Sequence, residues 1–416
     1  MKKFFKILGI VIGSIVVLVG IAALFIQLRG IPSYEPKKLA VTIDYTPERV
    51  ERGRRLGNTL CADCHTELSS GKLIGKHMSD MPKEFGTVYS KNITHDPTHG
   101  IGAWTDGELV FFLRTGIARA GNFNPVMGGF PRMSDEDMYS IIAWLRSDDA
   151  RLAATPVASK ESEWSFLAKA LAHFAFLPKE MPDKPIPTPD INDRVAYGRY
   201  IATGVADCFT CHSADFKTMD TDVPERSERF FGGGNAMPDL TGTVIHTSNI
   251  TPDKETGIGA WTEQQFIRAV RDGFRPDNTP LRYPMSRYTD LTEQEIGAVY
   301  AYLRTVPAIA YRVERDERYS AMKATASDLN GHDIYRKYAC YACHGDDGKG
   351  NCDLRDAHTK YPSDEALIAW IRNPSAIQPG TKMPTWEGVI AENEYAPLAR
   401  YVRELGMKKR ATVASR

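Results

Sequence analysis

The chain of 416 residues lacks a net charge: 52 lysines and arginines balance 52 aspartates and glutamates. No basic excess exists to hold nucleic acid or another polyanion. Glycine (33) and proline (25) reach no extreme, which excludes collagen-like and low-complexity chains. Cysteine is scarce and odd in number, at seven, so a dense disulfide scaffold is not indicated. Long apolar runs are also missing, with a single exception at the N-terminus. The other end of the chain, "MKKRATVASR", is polar and reads as a frayed tail.

That exception is informative. Lys2, Lys3 and Lys6 precede an uncharged run over residues 7–28, closed by Arg29. Its 22 residues make a helix of about 33 Å, enough to cross a bilayer. The lysines favour the cytoplasmic side and place everything after Arg29 outside. A cleaved signal peptide has an apolar core of only roughly 7–15 residues. Gly20-Ile21-Ala22 would suit cleavage, yet the run continues through Leu24, Phe25 and Ile26. Residues 1–29 are therefore expected to be a retained anchor. The protein then crosses the bacterial cytoplasmic membrane once, with its domains on the periplasmic side.

Six of the cysteines fall into three motifs, "CADCH", "CFTCH" and "CYACH": Cys61, Cys64, His65; Cys208, Cys211, His212; Cys340, Cys343, His344. C-x-x-C-H is the attachment pattern of c-type haem. Two thiols three positions apart bond the two vinyl groups of one porphyrin, and the adjacent histidine reaches the iron as an axial ligand. Zinc would pair two C-x-x-C units in one tetrahedral cage, which three distant units do not suit. A thiol–disulfide motif needs a thioredoxin-like βαβ setting, and none is visible. Structural disulfides would not demand three histidines. Three covalently bound haems c are expected. Cys352 remains as a partly buried thiol.

The motifs sit in an internal repeat. Each unit opens on a candidate helix carrying glycine (Gly53, Gly198, Gly331), which suggests a close helix crossing. A second helix follows, "LVFFLRTG", "FIRAVRDG" or "LIAWIRNP", aligning Arg114, Arg271 and Arg372. Thr105/Glu108 and Thr262/Gln265 form capping boxes at its start, and Gly116, Gly273 and Pro374 suit its end. A third helix carries Trp144-Leu145-Arg146, Tyr302-Leu303-Arg304 or Tyr401-Val402-Arg403, whose aromatic is expected against the glycine of the first helix. The chain therefore reads as all-α, with domains over 47–150, 191–306 and 327–407. Linkers cover 151–190 and 307–326. The first linker contains prolines that favour extended structure and an amphipathic piece, "WSFLAKALAHF", expected to dock on its own protein or on a membrane surface.

Register also selects sixth ligands. Met127, Met285 and Met383 lie 17, 17 and 18 positions before the aligned aromatics, in the loops between the second and third helices. The iron ligands expected are thus His65 with Met127, His212 with Met285 and His344 with Met383. Met81 and Met237 are also repeated but precede the second helix, and methionine is ordinarily core filler. Met133 aligns with Leu291 and is read as core. His77, His95 and His99 are rivals in the first unit, although His95 and His99 meet Pro252 and Thr256 in the second.

One further stretch occurs twice: "NITHDPTHGIGAW" at 92–104 and "NITPDKETGIGAW" at 249–261. It sits between the haem motif and the second helix. Two readings stand side by side. In one, Trp104 and Trp261 line the porphyrin and Asn or Thr bonds a propionate. In the other, the loop is held by its own turns. The third unit lacks it, with 28 positions from His344 to Arg372 against 49 and 59 in the others.

With these motifs in view, residues 47–406 resemble the three-haem cytochrome c subunits of membrane-bound alcohol and sugar dehydrogenases. The third unit, with "WIRNP" and "KMP", looks like a small class I cytochrome c. The resemblance implies helical domains that pass electrons from a flavin- or quinoprotein dehydrogenase subunit toward quinone, a terminal oxidase or another respiratory acceptor. Electron transfer without catalysis is the leading reading. A peroxidase-like multihaem enzyme with one open haem site is the alternative, and a haem-based sensor ranks behind both because no output domain is recognisable.

Overall fold

The computed structural model describes residues 2–67, 70–78, 81–127, 129–238, 244–282, 284–314, 330–349, 352–378, 381 and 383–407. Most of the linker expected over 307–326, the start of the third domain (327–329) and the tail beyond 407 lie outside the described residues. The chain divides into two compact bodies, Met1–Thr188 with the first repeat unit and Pro189–Arg416 with the second and third.

The first unit begins with α1, Lys2–Arg29, whose apolar side chains are almost all exposed. Helix α2 (Pro47–Leu60) starts on Thr46, whose hydroxyl accepts the Arg49 N–H, and ends at Cys61. Helix α3 (Asp106–Thr115) has the expected Thr105/Glu108 capping box and stops at Gly116 in the left-handed region, φ 77°. Helix α4 (Asp135–Leu145) follows, then the short α5 (Phe166–Phe174). In the second unit, α6 (Arg194–Tyr200) runs into a π-turn over Ile201–Val205. Helix α7 (Glu263–Asp272) repeats the capping box with Thr262 and Gln265 and stops at left-handed Gly273. Helices α8 (Glu293–Leu303), α9 (Gly331–Lys337), α10 (Asp364–Arg372) and α11 (Tyr395–Met407) follow.

The expected glycine–aromatic crossing is present three times. A Cβ on Gly53 would lie 1.7 Å from the Ser140 carbonyl oxygen and 2.9 Å from Trp144 Cβ. On Gly198 it would lie 1.9 Å from the Ala298 oxygen and 2.9 Å from Tyr302 Cβ; on Gly331, 2.2 Å from the Pro397 oxygen and 2.5 Å from Tyr401 Cβ. Only hydrogen fits, so these helix pairs touch backbone to backbone and cannot separate without opening a void. Trp144 and Tyr335 are among the most deeply buried side chains. Phe274, just past α7, packs edge-on against Trp386 with centroids 5.0 Å apart, within the apolar cluster built by α9, α10 and α11.

The all-α expectation needs amendment. Two short antiparallel ladders are present: β1 (Gly86–Thr87) with β2 (Glu163–Trp164), and β3 (Ala236–Pro238) with β4 (Val244–His246). Long loop backbones need hydrogen-bond partners, and these pairings supply them. β2 belongs to the stretch expected as a linker; residues 151–164 lie along the first unit through bonds described below.

Candidate functional site

Each C-x-x-C-H motif folds as one short helical turn, Ala62–His65, Cys208–His212 and Tyr341–His344, with Cys61 and Cys340 at the N-cap of the first and third, so both thiols and the imidazole stand on or at the start of a single turn. Left-handed Asp207 (φ 44°) and Ala339 (φ 52°) precede the second and third, kinking the chain sharply into the motif. The seven cysteines form no disulfide. Burial pushes the Cys61, Cys208 and Cys340 thiols up to about 12, the opposite of a redox-active thiol pair. Among the described residues, no group of three or more His, Cys, Asp and Glu gathers as a metal cage.

The histidines behave alike. Burial pushes each imidazole below its ordinary pKa, so each is neutral. Each donates Nδ1–H to a backbone carbonyl: His65 to Lys91 at 2.7 Å, His212 to Ser248 at 2.8 Å and His344 to Cys352 at 2.7 Å. A donor bond at Nδ1 fixes the tautomer and leaves the Nε2 lone pair for a metal. The donor set of two thiols and one oriented imidazole fits haem c in all three places.

Those acceptors explain the repeated loop. Lys91 and Ser248 immediately precede Asn92 and Asn249. Asn92 Oδ1 accepts from Thr94 N–H (2.9 Å) and its hydroxyl (2.8 Å), while Nδ2 donates to the carbonyls of Thr155 (3.0 Å) and Val157 (2.9 Å). Asn249 repeats the pattern with Thr251 (2.9 and 2.7 Å) and with the carbonyls of Ile309 (2.7 Å) and Tyr311 (3.3 Å). Every bonding position of both amides is used, so neither has one left for a propionate. The asparagine part of the porphyrin-wall reading is thereby corrected. The loop is a clamp between the chain leaving the third helix and the residue that holds the histidine. Asp96 and Asp253 close the turns by accepting N–H groups at 98–99 and 255–256. Trp104 is half-buried and packs edge-on against Phe112, 5.6 Å away. In the third unit Cys352 takes over through its carbonyl. Its side chain is exposed, not partly buried as expected.

The methionine loops are bracketed by ion pairs. Arg114, 1 % exposed, reaches Asp135 at 2.6 Å and the carbonyls of Phe130 and Met133. Arg271 pairs with Glu293 at 3.0 Å and Arg372 with Glu392 at 2.6 Å. In every unit the arginine ends the second helix and the acid stands at or just before the third, so the pair closes the loop that carries Met127, Met285 or Met383. All three methionines are half-buried. Asn124 Oδ1 accepts the Met127 N–H at 3.0 Å, Met285 N–H donates to Arg282, and Met383 Sδ accepts the Trp370 indole N–H at 3.0 Å.

The rivals are placed otherwise. Met133 is fully buried core. Met237 lies on β3 opposite Ile245, and Met81 sits in a turn bonded to Met78. His77 and His99 are exposed, and His95 Nε2 donates to the Leu145 carbonyl at 2.8 Å. The carbonyl acceptors at 91, 248 and 352 escaped sequence reasoning, since a backbone oxygen has no side-chain signature. The acids facing the aligned arginines were detectable: each follows its arginine by about twenty positions, at 21, 22 and 20.

Comparison with known proteins agrees with this geometry. The Cytochrome c family profile matches residues 50–148 and 195–307. A profile described as Cytochrome C oxidase, cbb3-type, subunit III matches 326–402. The cytochrome c subunit of a quinone-dependent alcohol dehydrogenase from Gluconacetobacter polyoxogenes is 26% identical over 380 residues, covering 87% of this chain and 77% of that protein. The fructose dehydrogenase cytochrome subunit of Gluconobacter japonicus is 28% identical over 323 residues, 70% and 63% of the two chains. The cbb3-type oxidase subunit FixP of a Bradyrhizobium strain is 31% identical over 150 residues, 35% of this chain and 46% of its own.

Proposed function

Because this chain belongs to the cytochrome c family, we propose that it is a membrane-anchored carrier with three haems c, relaying electrons from a partner dehydrogenase to a respiratory acceptor. Haem c supplies a one-electron iron couple. The chain does the rest. Cys61 and Cys64, Cys208 and Cys211, and Cys340 and Cys343 provide the thioether sulfurs. The Nε2 atoms of His65, His212 and His344 would hold the irons, together with Sδ of Met127, Met285 and Met383. The three units form separate haem domains over 47–150, 191–306 and 327–407. A sulfur ligand opposite histidine raises the potential. With a histidine and a methionine both engaged in holding each haem, no place would be left for a substrate, which favours relay over catalysis.

The observation that carries this reading is the threefold recurrence of a histidine oriented through Nδ1 within a C-x-x-C-H turn, buried in the first unit and half-buried in the other two. Helix α1 is the anchor: its span Lys3–Arg29 is long and apolar enough to cross a membrane. The domains then lie on the periplasmic side. The donor class, a dehydrogenase, follows the names of the relatives; a flavin- or quinoprotein as that donor, and quinone or a terminal oxidase as the acceptor, are what the resemblance implies.

The relay reading is tested by affinity isolation from solubilised membranes. Co-purification of a dehydrogenase whose substrate reduces the haems supports it. Recovery of the chain alone, with haems that no dehydrogenase substrate reduces, refutes it.

A further inference from the structure

Helix α5 and the residues after it expose Phe166, Leu167, Phe174, Phe176 and Leu177 within twelve positions, with Phe174 74% exposed. Its opposite face, Ala168 and Ala172, is buried. The helix is held against the outer end of α1. Lys169 Nζ donates to Gln27 Oε1 at 3.2 Å, His173 Nε2 to the Gly30 carbonyl at 3.1 Å, and the Phe25 and His173 rings stand 6.2 Å apart. The one cation on α5 is thus turned toward the anchor, and its exposed face is left apolar.

We propose that this face of α5, continued by Phe176 and Leu177, lies in the outer-leaflet interface of the bilayer as a second membrane contact; the inference rests on α1 being the retained anchor. Depth fixes the occupant. The 27 residues of Lys3–Arg29 extend about 40 Å, which matches the hydrocarbon core plus its headgroup layers. Gln27 and Gly30 therefore stand at the outer headgroup level, and α5, bonded to both, stands there too. Phenylalanine and leucine on the free face of a short helix at that depth meet acyl chains as an interfacial helix does. In water the same cluster would be an uncovered apolar patch. Two contacts, one spanning and one lying flat, restrict how the first haem unit tilts over the membrane.

The test uses the full-length holoprotein in lipid nanodiscs, in a Cys352→Ser background, with single spin labels at Leu18→Cys, Phe174→Cys and Val126→Cys. Haem spectra confirm folding of each variant. Accessibility to oxygen is compared with that to a water-soluble nickel complex. Position 174 is expected to favour oxygen several-fold over position 126, as position 18 does. A lipid reading at 18 with a water reading at 174 overturns the second contact and leaves the anchor standing. A label at 174 shielded from both reagents also overturns it, because a protein then covers the face. A water reading at 18 overturns the anchor, and the inference with it.

Discussion

In the first and second units, the motif histidine bonds a carbonyl 26 and 36 residues ahead; in the third it bonds one only eight ahead. The long-reach acceptors are Lys91 and Ser248, each followed by the asparagine that ties the loop to the segment leaving the third helix. The short-reach acceptor is Cys352, in a turn whose own N–H donates back to the Cys343 carbonyl. One chemical requirement, an imidazole held by Nδ1, is thus met in two ways. The thirteen-residue loop is needed where the acceptor comes from afar and is dispensable where a local turn supplies it. This accounts for two copies beside three haem motifs.

The comparison is sharpest where all three units agree. Alanine at Gly53, Gly198 or Gly331 places a methyl group against a backbone oxygen that cannot yield, a cost of about 3 kcal/mol at the upper end of overpacking. Each variant should lose thermal stability in its own unit, followed by haem-specific absorbance during melting. Equal losses are expected, and a tolerated alanine in one unit would break the parallel.

The arginine brackets separate the first unit from the others. Arg114 is enclosed and holds three acceptors, so Arg114→Met should cost about 3 kcal/mol, the range for breaking a buried pair. Arg271 is 40% exposed and its partner Glu293 61%, so Arg271→Met should cost less than about 1 kcal/mol. Denaturant titration of the two variants checks the contrast.

Asparagine distinguishes the looped units from the third. Asn92→Ala and Asn249→Ala each strand buried partners, at about 1–3 kcal/mol. Each should displace the carbonyl behind its histidine and shift one haem potential, read by spectroelectrochemical titration. The potential of a haem at the third motif should not move. The smallest effect belongs to Cys352→Ala, expected within about 0.5 kcal/mol of the parent because the side chain is exposed and the histidine bonds the backbone carbonyl.

How far the sequence disclosed these features depends on whether side chains or backbone carry them. Glycine at 53, 198 and 331 opposite an aromatic, capping boxes at 105 and 262, and the cysteine–histidine turns are side-chain requirements, and the alignment exposes them. Acceptance by Lys91, Ser248 and Cys352 is a backbone property, to which lysine, serine and cysteine are equally suited, so nothing in their identity signals it. Asn92 was ambiguous because a turn and a propionate ask the same of an amide; only its four filled bonds decide. The ladders at 86–87 and 163–164 are two residues long, too short for any alternating pattern to show.

The most direct measurement is a count of haems on the purified full-length chain, by intact mass under denaturing conditions together with an alkaline pyridine spectrum and the spectrum of the native reduced protein. Three covalent haems per chain, low-spin in the native state, are expected. Two or fewer haems, or high-spin iron at every site, would contradict three histidine–methionine relays.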